Sequence, residues 1–252
     1  MATTLLRETA PKGSVDKYVK TLRQRFSFSE QEERELVSRM DGTEFFSAGD
    51  TLVEQEQAIN YSRLLYEGFA CREKIDAEGE RQIAELLLPG DFIDLHSYPL
   101  ERLDHSITAL TDCKIVKLNH KQIDDLIDKH PRFARLLWFS TMTDASIHRE
   151  WINNLGSRSG SKRMAHLLCE TYCRMEVVGL LEDDRFPFPL TQKDLGETLG
   201  FTPIHVNRMV KKLRELDLAD IRRGTVWVKD FDGLTEHAGF DPAYLYLTPR
   251  DG

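Results

Sequence analysis

The period of apolar and polar positions changes twice along the chain. From Thr43 to Leu118, short apolar or alternating runs (Thr51 to Val53, Ser62 to Tyr66, Arg81 to Leu88, Ile107 to Ala109, Lys114 to Leu118) are separated by turn signals such as Ala48-Gly49-Asp50, Glu67-Gly68 and Pro89-Gly90-Asp91. Many short strands at that spacing predict a β-sandwich or roll. Before it, Ser29 and Glu32 stand at capping-box spacing ahead of an amphipathic helix, and residues 1–25 read as a loose polar arm. After Asn119 the period becomes helical. Lys121 to His130 reads as a short helix ending before Pro131, and residues 132–155 form the longest helical stretch. Its apolar residues are too many for one narrow stripe, so it must be covered on more than one side. A core helix would satisfy this pattern. A helix that also meets its twin satisfies it too, through a seam of Phe133, Leu137, Ile147, Trp151 and Leu155 that Ser140 and Asp144 interrupt. Gly156-Ser157-Arg158-Ser159-Gly160-Ser161 reads as a flexible linker, followed by a helix from Lys162 to about Val178.

From Leu190 to Asp230 the pattern predicts a short helix, a turn, a second helix and a two-stranded ribbon. Thr191 is placed to cap the first helix, Gly200 supplies the turn, and Thr202-Pro203 opens the second. Val206, Met209, Val210 and Leu213 give the second helix one apolar stripe. That leaves Ile204, His205, Asn207, Arg208 and Lys211 off it, which suits a helix entering the DNA major groove. A plain helical hairpin in a core would need only the first-helix pattern. Charge separates the two readings. Residues 190–229 carry eight basic and five acidic residues, a local surplus of three in a chain of net charge −8. A local reversal of sign on an acidic protein is the footprint expected for phosphate. The dimer reading of the long helix gains from this, because a DNA-reading module binds a two-fold site better as a pair.

Composition adds bounds. The chain has 252 residues, 40% of them hydrophobic and 30% charged, without a signal-like apolar start or a run long enough for a membrane span. A cytoplasmic protein with no membrane partner is expected, and four scattered cysteines fit reduced thiols.

An N-terminal roll, a long helix, a small hinge and a C-terminal winged helix together resemble the Crp/Fnr superfamily of bacterial transcription regulators. The likeness covers nearly all of residues 25–230. Gly68 resembles a turn glycine of its roll, Pro89-Gly90-Asp91-Phe92-Ile93 looks like its G-D-F-I segment, and Leu190 to Leu213 follows its DNA-binding signature. The resemblance implies an α+β fold: a jelly-roll-like β-roll at 26–120, a dimerisation helix and hinge at 121–158, and a winged helix-turn-helix with a tail at 159–252. It implies a homodimer on a palindromic site of double-stranded DNA, with RNA polymerase as a further partner. In the family an arginine late in the recognition helix reads guanine, and Arg208 matches it; bidentate bonding to O6 and N7 is the reason. The earlier reading positions fall on Pro203 and Ile204, which suit a thymine methyl, with His205 and Asn207 as the remaining polar contacts. Gln192, Thr202, Lys211, Arg222 and Arg223 are expected to meet phosphate.

The effector pocket departs from the family pattern. Cyclic-nucleotide-binding members place an arginine and backbone amides on the cyclic phosphate. Here Asp94-Leu95-His96-Ser97 follow the G-D-F-I segment, and the arginine's place falls near Leu103, with Asp104 and His105 after it. A carboxylate and an aliphatic chain do not neutralise phosphate. On the long helix, His148 and Arg149 replace the expected small hydroxyls. Cyclic-nucleotide dependence is therefore not expected, with Arg102 as the one residue able to take the arginine's part. No cysteine precedes Cys71, so an N-terminal iron–sulfur cluster is not expected, nor any other cofactor or metal. A non-sensing architectural or partner-binding dimer, controlled by its abundance, also fits the altered pocket and predicts constitutive DNA binding, and two further alternatives stand beside the DNA reader. One is a regulator gated by an unrecognised small-molecule or redox signal in the roll. The other is an enzyme using Asp91, Asp94, His96, Asp104 and His105, though no nucleophile elbow, P-loop or zinc-hydrolase spacing supports it.

Overall fold

In a computed structural model, residues 10–11 and 13–248 are described. The arm expected at 1–25 lies outside them at residues 1–9 and 12; its described end forms α1 (Asp16–Arg23), which buries Tyr18, Val19 and Leu22. Next comes α2 (Glu30–Val37), started by a complete capping box between Ser29 and Glu32.

The roll follows as β1 (Met40–Phe46), β2 (Thr51–Val53), β3 (Tyr61–Glu67), β4 (Ala70–Ile75) and β5 (Arg81–Leu87). A single helical turn, α3 (Ser97–Leu100), then leads to β6 (Ser106–Ala109) and β7 (Cys113–Asn119). Its strands form one sheet in the order β1-β7-β3 and another in the order β2-β6-β4-β5. Strand alternation divides the side chains. Leu64 and Val116 face a core with α1, α2 and Phe92, while their neighbours Leu65 and Ile115 face a second core with Leu52, Ala70, Ile93 and Ile107. Gly68 turns β3 into β4 at φ +94°, and a Cβ there would sit 2.3 Å from the Asp112 carbonyl oxygen, so only glycine fits.

Helix α4 (His120–Lys129) is followed by α5 (Arg132–Ser157) and α6 (Gly160–Val178). The expected flexible linker is thus mostly helix. Gly156 and Ser157 continue α5 and Gly160 and Ser161 open α6, so Arg158 and Ser159 alone separate them. Strand β8 (Arg185–Pro187) precedes α7 (Gln192–Leu199), α8 (Pro203–Glu215), β9 (Ala219–Arg222) and β10 (Thr225–Val228). The predicted two-stranded ribbon is a three-stranded sheet, β8-β10-β9. The tail forms α9 (Phe231–Ala238) and a 3₁₀ turn at Pro242–Leu245, with Phe240 and Tyr244 packed on His166 of α6.

The chain divides into two compact units. One holds the described residues up to Arg72, with Leu86–Asp144 and Thr248; the other holds Glu73–Glu85 and Ala145–Leu247. The expected domain limit at 158 therefore differs from this division, which cuts α5 itself and assigns the β4–β5 hairpin tip to the C-terminal unit. No helix among the described residues is long and apolar enough to cross a membrane.

The expected dimer seam also needs correction. Phe133, Leu137, Ile147 and Trp151 are buried within the chain itself and Leu155 is half-buried. Phe133 and Leu137 belong to the core under the roll, and the Trp151 indole donates to the buried Glu170 carboxylate at 3.0 Å. The face of α5 left open carries Trp138 (68% exposed), Met142 (49%) and Ile152 (70%). Sequence showed that α5 must be covered on two sides without showing which side its own chain covers.

Candidate nucleic-acid interface

Local sequence builds the C-terminal reader. Thr191 accepts from the Asp194 amide, and Asp194 Oδ2 accepts in return from the Thr191 amide at 2.9 Å, a closed capping box that starts α7. Gly200 ends α7 at φ +69°. Gly196 meets the chain returning from that turn: a Cβ there would lie 2.4 Å from the Phe201 carbonyl oxygen. Thr202 caps α8 by accepting from the His205 amide, and Pro203 takes the first helical position. Val206, Met209, Val210 and Leu213 are buried, which fixes the opposite face of α8 outward.

That outer face holds the five predicted base readers together. Pro203, Ile204, His205, Asn207 and Arg208 are all exposed, Ile204 by 67%. Two of them are already engaged by their own helix. Asn207 donates to the Pro203 carbonyl at 3.2 Å, and His205 Nδ1 lies 3.0 Å from the Thr202 hydroxyl. The Thr202 hydroxyl, expected on phosphate, is thus occupied as a cap, and Pro203 brings no amide hydrogen to the first turn of α8.

The wing tip is a two-residue hairpin loop. Arg222 pairs with Thr225 across it, and Arg223 and Gly224 have φ of 50° and 74°, the signs of a type I′ turn. Its two arginines differ. Arg222 is bound to Asp220, which also accepts from Arg214 at 2.8 Å, whereas Arg223 meets no side-chain partner among the described residues. Burial alone would raise the Asp220 carboxyl, but hydrogen bonds from Arg214 and Arg222 outweigh it and hold the carboxyl below its ordinary value.

Pairing decides where the local surplus of positive charge is felt. Lys193 pairs with Glu197, Lys211 with Glu215, Arg214 and Arg222 with Asp220, and Lys229 with Asp217. Among the described residues this leaves Arg208, Lys212 and Arg223 of that segment without an ion pair. All three are exposed, one midway along α8, one in its last turns and one on the wing. Lys212 was not among the predicted site residues, although it stands off the apolar stripe beside Lys211. Gln192 is exposed on the first turn of α7.

A support the sequence did not signal is Arg163 of α6. It donates to the carbonyls of Leu199 and Leu155 at 2.7 Å each and stacks over the Phe201 ring, tying the ends of α7 and α5. No local pattern marks a residue that acts 36 positions away.

In the roll, the residues of the enzyme alternative are used structurally. Asp94 is fully buried on the Arg63 guanidinium at 2.6 Å, and Asp91 accepts from the Leu88 amide in a turn. The His96 and His105 rings lie 5.2 Å apart, tilted by 30°, with Asp104 on the His105 ring. Leu103 is buried in the roll core and Arg102 is exposed. A second buried guanidinium beside that of Arg63 is that of Arg72, 2% exposed, which bonds both Asp144 oxygens at 2.7 Å and the Ile93 carbonyl. Cys71, Cys113 and Cys169 are buried and form no disulfide; burial pushes the Cys169 thiol up and the Cys173 thiol up to about 12.

Comparison with known proteins agrees with this architecture. Residues 43–130 match the cyclic nucleotide-binding domain, and residues 162–237 match the Crp-like helix-turn-helix domain. The chain is 27% identical over 200 residues to the transcriptional activator protein FnrL of Cereibacter sphaeroides, covering 78% of this chain and 80% of that protein. It is 26% identical over 191 residues to the nitrogen fixation regulation protein FixK of Bradyrhizobium diazoefficiens, covering 73% and 77%. The solved structure of FixK2 from Bradyrhizobium japonicum superposes with a TM-score of 0.72 at 19% identity, over 79% of this chain and 98% of that one.

Proposed function

We propose that this chain, which belongs to the Crp/Fnr superfamily of DNA-binding transcription regulators, reads a palindromic operator as a homodimer and does so without a cyclic nucleotide. The observation that carries the reading is the outer face of α8, where Arg208 stands exposed and unpaired beside Lys212, with Arg223 on the wing. Arg208 reads guanine and Ile204 meets a thymine methyl, while Gln192, Lys211 and Arg223 hold phosphate. Arg222 joins them only by leaving Asp220.

A second copy of this chain is the occupant that suits the open face of α5. Trp138, Met142, Arg149 and Ile152 fall at steps of four, seven and three residues, the a/d spacing of a coiled-coil seam, and all are exposed. An apolar stripe of that kind on one chain marks an interaction surface. A helix-turn-helix dimer reads two half-sites whose major grooves lie about 34 Å apart, one turn of DNA. RNA polymerase, which the family resemblance implies, would meet the DNA-bound dimer.

Effector independence rests on the roll. The place of the phosphate-binding arginine is a buried leucine, and the Arg72 guanidinium is already committed to Asp144 and Ile93. Redox gating through Cys113, Cys169 or Cys173 is disfavoured, since burial raises all three thiols. The experiment is selection from random duplex DNA by the purified protein with no small molecule added. A palindromic enriched site, unchanged by cyclic AMP, supports the reading. Enrichment seen only with cyclic AMP or a cell extract would replace it with the effector-gated alternative.

A further inference from the structure

The tip of the β4–β5 hairpin falls in the same compact unit as the winged helix, and one of its residues reaches the reader. Arg81, at the first position of β5, donates through Nη1 to Asp194 Oδ1 at 2.9 Å and to Glu197 Oε2 at 2.7 Å, while its Nε is bound to Glu73. The next residue, Gln82, donates its side-chain amide to the Glu197 carbonyl. The hairpin loop that presents them is itself fixed, because Asp76 accepts from the amides of Glu78 and Glu80 at 3.0 and 2.8 Å. The ion-pair side chains are largely buried: Arg81 is 21% exposed and Asp194 and Glu197 are 15% exposed.

The carboxylates matter because of where they stand. Asp194 is the residue that closes the capping box with Thr191, and so sets the N-terminal turn of α7 that carries Gln192. In a helix-turn-helix the first helix crosses the DNA backbone. Two carboxylates within a Debye length of phosphate, about 10 Å, weaken binding unless a cation cancels them. Lys193 answers Glu197 only at 3.6 Å and from an exposed position. Arg81 is closer to both acids and better buried.

We infer that Arg81 is a positioning residue for DNA binding: it holds the first turn of α7 and offsets part of the charge of Asp194 and Glu197 beside the phosphate backbone. This rests on the DNA-reading function proposed above. It acts through α7 and reads no base, so its loss weakens binding to every sequence alike.

The test compares wild type, Arg81→Ala, Glu197→Gln and the double variant on operator and unrelated duplexes, with amide exchange of residues 192–199 followed in the free protein. Arg81→Ala should lose on the order of five- to tenfold in affinity for both duplexes, the size expected for one uncompensated charge near the surface. Exchange across α7 should quicken. Glu197→Gln alone should bind at least as well as wild type, and the double variant should regain most of the lost affinity. Unchanged affinity in Arg81→Ala would overturn the inference. So would a loss that Glu197→Gln does not repair, since that marks a purely structural arginine. If wild type selects no duplex, the DNA reading fails by itself, and unchanged α7 exchange in Arg81→Ala would then show that the arginine holds nothing.

Discussion

Asp220 shows how much of the reader depends on single side chains. Its carboxylate, nearly inaccessible to water, joins Arg214 at the end of α8 to Arg222 on the wing and also accepts from the Ile221 amide at 2.9 Å. Its pKa is lower folded than unfolded, so its contribution to stability is complete above its ordinary value of 3.8 and disappears as pH falls through the lowered value. The wild-type melting temperature should therefore drop below about pH 4. In Asp220→Asn it should start lower at neutral pH and show a shallower acid limb; superimposable melting curves for the two would refute this role. The charge surplus of the segment was legible in sequence. That it resides on Arg208, Lys212 and Arg223 was not, because pairing is a property of the fold.

Among elements, the α7–α8 turn is where sequence and structure agree most closely. Thr191, Gly200, Thr202 and Pro203 are local signals, each satisfied by partners within a few residues, so spacing alone located both helices. Gly196 carries a less visible constraint, because its neighbour is the returning chain at Phe201. Gly196→Ala should cost about 1–3 kcal/mol, the usual range for overpacking, since a carbonyl oxygen cannot step aside as a flexible side chain does. Chemical denaturation with matched operator binding checks it; an unchanged midpoint would mean that the turn yields easily. Strands β1 and β4 escaped the sequence reading for the opposite reason. MDGTEFF and ACREKI do not alternate cleanly, and they are strands because of the β7 and β6 neighbours they pair with.

For the whole molecule, α5 is the element on which assembly turns. Its apolar content announced two covered sides, but helical periodicity treats them alike. Only the folded chain shows that Trp151 serves its own core and Ile152, the next residue, faces out. The proposed dimer predicts different failures at these neighbours. Ile152→Glu should leave the melting curve of the folded unit nearly unchanged at low concentration and convert the protein to monomer in sedimentation velocity. Trp151→Ala should destabilise the chain itself by about 3–5 kcal/mol, as expected for a buried indole. A dimer that survives Ile152→Glu together with Met142→Glu would move the interface elsewhere. The Arg81 and Arg72 ion pairs belong to this scale too, joining residues 113 and 72 positions apart in ways no local pattern announces.

Base-resolved binding of Arg208→Ala tests most directly whether α8 is the reading helix with Arg208 on a guanine. Affinity would be measured for the selected operator and for all single-base variants of one half-site, at fixed salt. Loss of about 1–3 kcal/mol on the operator, with preference relaxed at one symmetric base position and kept at the others, is the expected result. A uniform loss at every position, or unaltered selectivity, would show that Arg208 meets only phosphate or no DNA at all, and that α8 does not enter the groove as described.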